Sequence, residues 1–265
     1  MGEETFERLH GFDEVDASTE AQQLIAFLAW VDGKPDVVAR RSRSYELLRV
    51  RSGAVVADVG CGIGTVLAEL VALGAAPIGI DLSEAMLTEA ARRVPDVPLH
   101  PADAAELPLA DGVLAGYRAE RVFQHLADPA PALVEAMRVL MPGGRIVLVD
   151  QDWDAFVVDG DDRETTRAML RGFADSAANG WAGRRNGIAL ADAGFSEVEV
   201  EAETVTAIDY AYAAPVLPAL KAAAVEAGAI DEAAADAWLT EQKLRGEQGR
   251  FFAAMTHFLA SGTRP

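Results

Sequence analysis

The hydrophobic pattern divides the middle of the chain into alternating strand and helix segments. Short apolar runs rich in β-branched residues, bounded by glycine, proline or acidic residues, are typical of buried strands. Between these runs, apolar residues recur every three to four positions, as on one face of a helix. Five strands are predicted in this way, at residues 54–60, 77–81, 97–103, 112–118 and 144–152. Strands that alternate with helices predict right-handed crossovers and a largely parallel sheet.

The segments on either side of this region add helices and two more strands. Residues 1–50, with helical spacing at 20–31 and 36–50, are expected to form an N-terminal helical cap. Residues 51–265 form the main domain, and the alternating segment 196–209 predicts a strand that is exposed on one face.

The last segments complete the predicted fold. Helical insertions are expected at about residues 155–190 and 213–247, and segment 250–264 predicts a final strand. The predicted fold class is α/β: a Rossmann-like three-layer sandwich with a mostly parallel seven-stranded sheet. Its last strand is expected to be antiparallel, with N-terminal and inserted cap helices over the sheet.

Composition and charge restrict the class of partner. Of the 265 residues, 51% are hydrophobic and 25% are charged, as expected for a folded globular protein. The 23 basic and 42 acidic residues give a net charge of −19, which repels nucleic acid and anionic lipid surfaces. An acidic surface that only aids solubility explains the charge equally well.

Cysteine and histidine usage predicts neither a disulfide nor a metal site. The single cysteine, Cys61, has no partner for a disulfide within the chain, which favours a reducing compartment. The N-terminal sequence is acidic where a signal peptide needs a basic start, and no apolar run approaches membrane-spanning length. A cytoplasmic protein without a membrane partner is expected. Four histidines without zinc-ligand spacing complete the set: His10, His100, His125 and His257.

A glycine-rich loop follows the first predicted strand and precedes a helix. Asp58 is followed by Gly60, Gly62 and Gly64, and glycines at such a turn allow a ligand to approach the backbone closely. Asp81 ends the second strand, 21 residues after Gly60, where a carboxylate can bind both hydroxyls of a ribose. The sequence therefore predicts a nucleoside-binding site at this edge of the sheet.

The spacing of the glycines argues against a dinucleotide. The pyrophosphate-binding pattern requires glycine at position 65 or 67, and the chain has Thr65 and Leu67. Asp58 at the start of the loop suits an ammonium group better than a diphosphate. An NAD-dependent oxidoreductase is therefore disfavoured, and a ligand that carries an ammonium group is favoured.

These motifs, with Asp103 after the third strand, resemble the class I S-adenosylmethionine (SAM) dependent methyltransferases. The stretch 120–126 and the segment 138–150 resemble the subgroup that includes the ubiquinone and menaquinone C-methylating enzymes. The resemblance covers roughly residues 50–150 and is weaker beyond. It implies SAM as cofactor and S-adenosylhomocysteine as product.

The resemblance also implies roles for individual residues. The glycine loop would hold the methionine portion of SAM, Asp81 the ribose and Asp103 with Ala104 the adenine. The predicted cofactor-binding set also includes Arg41 on the cap helix, as a partner for the SAM carboxylate. The full set is Arg41, Asp58, Gly60, Gly62, Gly64, Asp81, Leu82, Met86, Asp103, Ala104 and Glu120.

Candidates for chemistry follow the fourth and fifth strands. Because methyl transfer is an in-line displacement, alignment dominates and a general base is used only in some cases. His125 is the candidate base, since an imidazole can accept a proton from a hydroxyl or an amine; a packing or cofactor-contacting role is the alternative. Asp152 and Trp153 are candidates for orienting the acceptor, and no metal site is predicted.

A glycine-rich joint at residues 179–186 provides further candidates. Asn179, Trp181 and Arg184 lie in this joint between two predicted helices and are assigned to the acceptor pocket. An ordinary turn anchored by its tryptophan is the alternative interpretation.

The favoured function is a bacterial SAM-dependent methyltransferase acting on an oxygen, nitrogen or carbon atom of a small molecule in secondary metabolism. The alternative is a SAM-binding protein of the same fold with a non-methylating role such as cyclisation. A homodimer formed through exposed cap helices is an arrangement that the sequence leaves open.

Overall fold

The structure is a computed structural model that describes residues 21–265, and it describes side chains from residue 25 onward. The first twenty residues of the predicted cap, the acidic N-terminal segment and His10 lie outside these residues.

Strands and helices alternate between residues 55 and 151, as the hydrophobic pattern predicts, except that no α-helix separates the third strand from the fourth. The helices are α1 (Ala21–Asp32), α2 (Pro35–Leu48), α3 (Thr65–Ala72), α4 (Glu84–Arg93), α5 (Ala130–Val139), α6 (Arg163–Ser176), α7 (Ala182–Asp192), α8 (Tyr210–Ala213), α9 (Leu217–Glu226) and α10 (Glu232–Glu247). The strands are β1 (Val55–Val59), β2 (Ala76–Asp81), β3 (Leu99–Pro101), β4 (Leu114–Glu120), β5 (Leu140–Gln151), β6 (Val157–Val158), β7 (Ser196–Ala207) and β8 (Ala253–Thr263).

The first five strands form the parallel part of one sheet, in the order β3-β2-β1-β4-β5. The turn between β1 and α3 places Gly64 in the left-handed region as the residue before the helix. Ser83 caps α4, since its hydroxyl accepts a hydrogen bond from the Met86 N–H at 3.2 Å. The carboxyl ends of these five parallel strands therefore lie at the same edge of the sheet.

The antiparallel part of the sheet confirms the predicted direction of the last strand. β8 runs antiparallel to β5 and pairs on its other side with β7. The sheet has eight strands, whereas seven were predicted. The extra strand is the two-residue β6, which pairs with β8 beyond a 3-10 turn at Trp153–Ala155 and continues the course of β5.

Helices cover both faces of the sheet. On one face, Tyr45 and Leu48 of α2 pack with Val147, Val149 and other apolar strand residues. On the other face, α5 and α7 pack against the alternate strand residues. Helices α6, α9 and α10 share a separate apolar cluster beside β6. This is the predicted three-layer sandwich; the proposed division at residue 50 stays a prediction.

The glycine-rich joint at residues 179–186 differs from its prediction. Its second half is the beginning of α7, and Ala182 and Gly183 are buried against the sheet. At Gly183, a Cβ atom would lie 2.9 Å from the Asp150 carbonyl oxygen, from the Gln151 carbonyl carbon and from a Phe258 ring carbon. The glycine thus marks a close helix-to-strand contact, a cause that the sequence pattern alone does not distinguish from a turn.

We expect Gly183→Ala to lower the free energy of unfolding by about 1–3 kcal/mol, because two of the crowded atoms belong to the backbone of β5. Urea unfolding measures the change. The matched control is Gly33→Ala, where the nearest atom to the new Cβ lies at 3.7 Å and the change should stay within about 0.5 kcal/mol. Equal effects of the two substitutions would contradict the close contact.

Candidate functional site

A cavity of about 560 Å³ opens at the carboxyl ends of β1, β2, β4 and β5. Ligands bind in this position in open α/β sheets. Most of the predicted site residues line it: Arg41, Asp58, Gly60, Gly62, Asp81, Leu82, Met86, Asp103, Ala104, Glu120, His125 and Trp153.

Helices α1, α2 and α8 form the outer wall of this cavity. Trp30 of α1 lies 6.0 Å from the ring of Tyr212, and the ammonium group of Lys34 lies 3.6 Å from the centre of the Trp30 ring. The Tyr212 hydroxyl donates a hydrogen bond to Asp36 at 2.7 Å. These contacts join the N-terminal helices to the segment after β7, far along the chain.

The three glycines of the loop have different surroundings. All three have positive φ angles, of 71° at Gly60, 50° at Gly62 and 77° at Gly64. A Cβ at Gly64 would meet Ala90 of α4 at 3.0 Å, so this glycine serves helix packing and does not line the cavity. A Cβ at Gly62 would meet nothing within 4 Å. Gly62 therefore leaves open space beside the backbone on the cavity side.

Asp81 connects the end of β2 to the glycine loop. Its carboxylate accepts hydrogen bonds from the Gly62 N–H at 2.7 Å and from the Ser83 N–H at 3.0 Å. Asp103 is exposed at the cavity rim and accepts a hydrogen bond from the Ala105 N–H at 2.7 Å. Met86 is buried and lines the same cavity as the two carboxylates.

A buried arginine connects the loop to the neighbouring strand. Arg118 of β4 donates to Asp58 at 2.9 Å, to the Ser44 hydroxyl of α2 at 2.8 Å and to Glu120. Arg118, Asp58 and the Glu120 side chain are almost completely shielded from solvent. Sequence reasoning missed Arg118, although an arginine within a predicted buried strand was a visible signal.

Burial and charge move the pKa values of this group in opposite directions. Burial raises the pKa of Asp58 to about 6, although Arg118 opposes the shift. Burial also disfavours the ionised form of Glu120, but Arg118, Arg121 and Arg40 lower its pKa to about 2. Asp58 therefore has an internal partner, and its role toward the cofactor stays a prediction.

Arg41 lines the cavity but uses its guanidinium group within the protein. It donates to Glu69 at 2.7 and 3.2 Å and to the Asp32 carbonyl oxygen at 2.9 Å. Its predicted contact with the cofactor therefore requires these bonds to be shared or exchanged.

His125 lies on a 3-10 turn, Phe123–His125, directly after β4. Two hydrogen bonds fix this turn. The Asp150 carboxylate accepts one from the Gln124 N–H at 3.2 Å, and the Gln124 side-chain oxygen accepts one from the Trp153 indole N–H at 3.1 Å. Asn186 completes the support by donating to Asp150 at 2.8 Å. The buried Asp150 thus fixes the position of the turn that carries His125.

The structure does not place four predicted acceptor residues in the cavity. Asp152 is buried and accepts from Arg184 and from the Asp154 N–H, whereas Asn179 donates to the Phe123 carbonyl oxygen at 3.1 Å. Trp181 is 42% exposed and donates to Asp154 at 3.0 Å. Trp181 and Arg184, at the start of α7, thus bond to the acids that follow β5, whereas Asn179 bonds to the backbone of the turn that carries His125.

The described part of the chain contains neither a cluster of metal-ligating side chains nor a helix that could span a membrane. Within residues 21–265, no three histidine, cysteine, aspartate or glutamate side chains are grouped as metal ligands. None of the helices in this part of the chain has the length and apolar character required to cross a membrane.

Arg118→Met tests the buried ion cluster. We expect the free energy of unfolding to fall by about 3–5 kcal/mol, because Asp58 and Glu120 lose their buried partner. This loss of stability should be smaller at about pH 5 than at about pH 8, because protonation of Asp58 and Glu120 at the lower pH removes their uncompensated charges. Urea unfolding at both pH values measures it. The control Arg167→Met breaks an exposed pair with Glu164 and should cost less than about 1 kcal/mol.

Asp150 gives a second pH-dependent prediction. Burial raises its pKa from 3.8 to about 7, although Asn186 and the Gln124 N–H oppose the shift. Its stabilising contribution is therefore complete below the unfolded pKa and is lost as the pH rises through the folded pKa. We expect Asp150→Asn to gain stability relative to the unsubstituted protein between about pH 4 and about pH 7. Unfolding measured across this range tests the trend, with the exposed Asp96→Asn as control; parallel curves would contradict it.

Comparison with known proteins supports the interpretation of this site. The sequence profile of a family described as a methyltransferase domain matches residues 57–148. An uncharacterized 37.1 kDa protein in transposon TN4556 of Streptomyces fradiae is 39% identical over 232 residues, which cover 82% of this chain and 66% of the relative. A demethylmenaquinone methyltransferase of Beutenbergia cavernae is 33% identical over 110 residues, 42% of this chain and 46% of the relative.

A solved structure shows the same fold. Phosphoethanolamine N-methyltransferase 2 of Haemonchus contortus, in complex with SAM, superposes with a TM-score of 0.60 at 18% identity, over 94% of this chain and 59% of that one. The chain spans less than two thirds of the length of the two sequence relatives. The matched profile and the glycine loop identify residues 57–148 as a methyltransferase domain of the class I SAM-dependent type.

Proposed function

We propose that the chain is a SAM-dependent methyltransferase that moves the methyl group of SAM to an oxygen, nitrogen or carbon atom of a small molecule. The observation that carries the proposal is the bond between Gly62 and Asp81, which fixes a glycine loop and an acid side by side at the cavity wall. When bound, SAM supplies a methyl group activated by a sulfonium. The protein supplies alignment and a site shielded from water.

The residues present fit this cofactor. The open space beside Gly62 accommodates a ligand against the backbone, and Asp81 lies where ribose hydroxyls can donate to its carboxylate. Leu82, Met86 and Ala104 provide apolar surface for adenine, and Asp103 at the rim provides an acceptor for its amino group. Gly60, Asp58 and Glu120 remain for the methionine portion.

The other part of the cavity suits an apolar acceptor. Side chains from distant elements line it with hydrophobic and aromatic surface, namely Phe27, Trp30, Val31, Trp153, Phe156, Val205, Val216 and Met255. A cavity of about 560 Å³ is in the range of small-molecule sites. A relative named demethylmenaquinone methyltransferase supports an acceptor of quinone type, and a bacterial secondary metabolite is the class that we propose.

His125 is proposed as the group that accepts a proton from the acceptor. It lines the cavity at the carboxyl end of β4, close in the chain to Glu120. Its position depends on the support of Gln124 by Asp150 and Trp153. A cytoplasmic location and a homodimer stay predictions.

Calorimetric titration with SAM and S-adenosylhomocysteine tests the cofactor site. We expect both to bind, and Asp81→Ala to weaken binding by about 1–3 kcal/mol, or about 5–150-fold, because the hydrogen bonds to the ribose are lost. The exposed Asp96→Ala, outside the cavity, should bind as the unsubstituted protein does.

The same titration distinguishes the alternatives. A folded protein that binds neither ligand would contradict the proposal. If SAM binds, mass spectrometry of the product with candidate quinols and phenols separates methylation from cyclisation, since only methylation adds a methylene unit and consumes the cofactor.

A further inference from the structure

Four polar side chains line the cavity near the end of β5. Gln151 at the end of β5 and His257 of β8 are partners in the sheet register. Arg40 of α2 lies 3.6 Å from Glu120, which ends the neighbouring strand β4. All four residues belong to the wall of the cavity.

Several polar atoms of this group are buried without a hydrogen bond. They are Arg40 Nε and Nη1, Glu120 Oε1, Gln151 Oε1 and His257 Nδ1, none of which has a hydrogen-bond partner among the described residues. Arg40 approaches Glu120 and Glu203 only at 3.6 Å, beyond hydrogen-bond length. Buried polar atoms in proteins are nearly always paired, and leaving one unpaired costs about 1–3 kcal/mol. A cluster of such unpaired polar atoms at a cavity wall indicates a site that binds a polar group of a ligand.

The charges around the group favour a neutral ligand group over an anion. Glu120 is ionised, since the nearby arginines lower its pKa to about 2 against the effect of burial. Arg40 lies 3.6 Å from both Glu120 and Glu203, so two carboxylates already balance its charge. Burial lowers the pKa of His257 to about 3, with Arg40 and Arg121 acting in the same direction and Glu120 against it. The imidazole is therefore neutral, with one donor and one acceptor nitrogen.

The group offers both donors and acceptors within an apolar wall. Arg40 offers N–H donors, whereas Gln151 Oε1 accepts, as one nitrogen of a neutral imidazole does. Val205, Ala207 and Met255 surround these atoms with apolar surface. A hydroxyl group satisfies such a set, because its hydrogen is donated while its oxygen accepts.

We propose that Arg40, Gln151 and His257 form a subsite that binds a hydroxyl group of an otherwise apolar, aromatic acceptor. These three residues are positioning residues, because they orient the acceptor. That the cavity binds a methyl acceptor rests on the proposed methyltransferase function. Glu120 lines the same cavity and accepts a hydrogen bond from Arg118, which also donates to Asp58 before the glycine loop.

A pair of probes of equal size tests the subsite: naphthol and methylnaphthalene, substituted at the same carbon. Equilibrium dialysis against the full chain, with and without S-adenosylhomocysteine, measures both affinities. We expect naphthol to bind about tenfold tighter or more, the effect of one good hydrogen bond at about 1.4 kcal/mol. A wild-type protein that binds neither probe, or both equally, would overturn the proposal.

Substitutions then assign the preference to the subsite. His257→Phe and Gln151→Met remove the polar atoms at similar volume, and we expect the preference for naphthol to fall to about two-fold or less. His257→Asn retains an acceptor and should keep most of it. The exposed Gln248→Met is the matched control and should leave the preference unchanged. An unchanged preference in both His257→Phe and Gln151→Met would overturn the assignment.

Stability separates a binding role from a structural one. Because these atoms have no partner in the protein, Gln151→Met and His257→Phe should not lower the free energy of unfolding in urea. A loss in both variants would show that the side chains are structural and would overturn the proposal. Binding of S-adenosylhomocysteine, measured by calorimetry, is independent of these outcomes, so failure of the subsite and failure of the cofactor site are distinguishable.

Discussion

The arrangement of the site depends on one buried ion cluster, in which Arg118 bonds to Asp58, Glu120 and Ser44. Removing a guanidinium group from water costs several kcal/mol, and the cost is offset only when carboxylates and further acceptors surround it. These three partners come from β1, β4 and α2. The cluster therefore fixes the start of the glycine loop, the end of the neighbouring strand and the helix above them in one arrangement. The shape of the cavity between these elements therefore depends on the Arg118 cluster.

A second interaction organises the cofactor half in a different way. The Gly62 N–H donates to Asp81, so the loop after β1 and the end of β2 are joined by a direct hydrogen bond. A ribose that binds Asp81 meets a carboxylate whose direction is already set, which reduces the ordering cost of binding. Gly64 contributes from beneath, because only a residue without a side chain permits α4 to approach so closely.

How far the sequence predicts the structure depends on whether a feature is local. The alternation of strand and helix, the cap at Ser83 and the loop from Asp58 to Gly64 follow from periodicity and from residue types at short spacing. The partnership of Arg118 with Asp58 depends on the register between β1 and β4, which the pattern of one segment does not contain. The joint predicted at residues 179–186 overlaps the start of α7 in the structure for a similar reason: Gly183 lies against β5, a contact that local spacing does not contain.

The two halves of the cavity differ in the same way. Most residues of the proposed cofactor site come from one stretch, residues 58–104, which lies inside the matched methyltransferase domain. The proposed acceptor part combines α1 and α2 with the ends of β5, β7 and β8. Some of these segments are separated by more than two hundred residues, and most of them lie outside that domain. Methyltransferases that share the cofactor motifs can thus differ in every residue that contacts the acceptor. Under the proposed function, acceptor preference would be determined largely by residues outside the matched domain, and the pairing of Gln151 with His257 across β5 and β8 is an example.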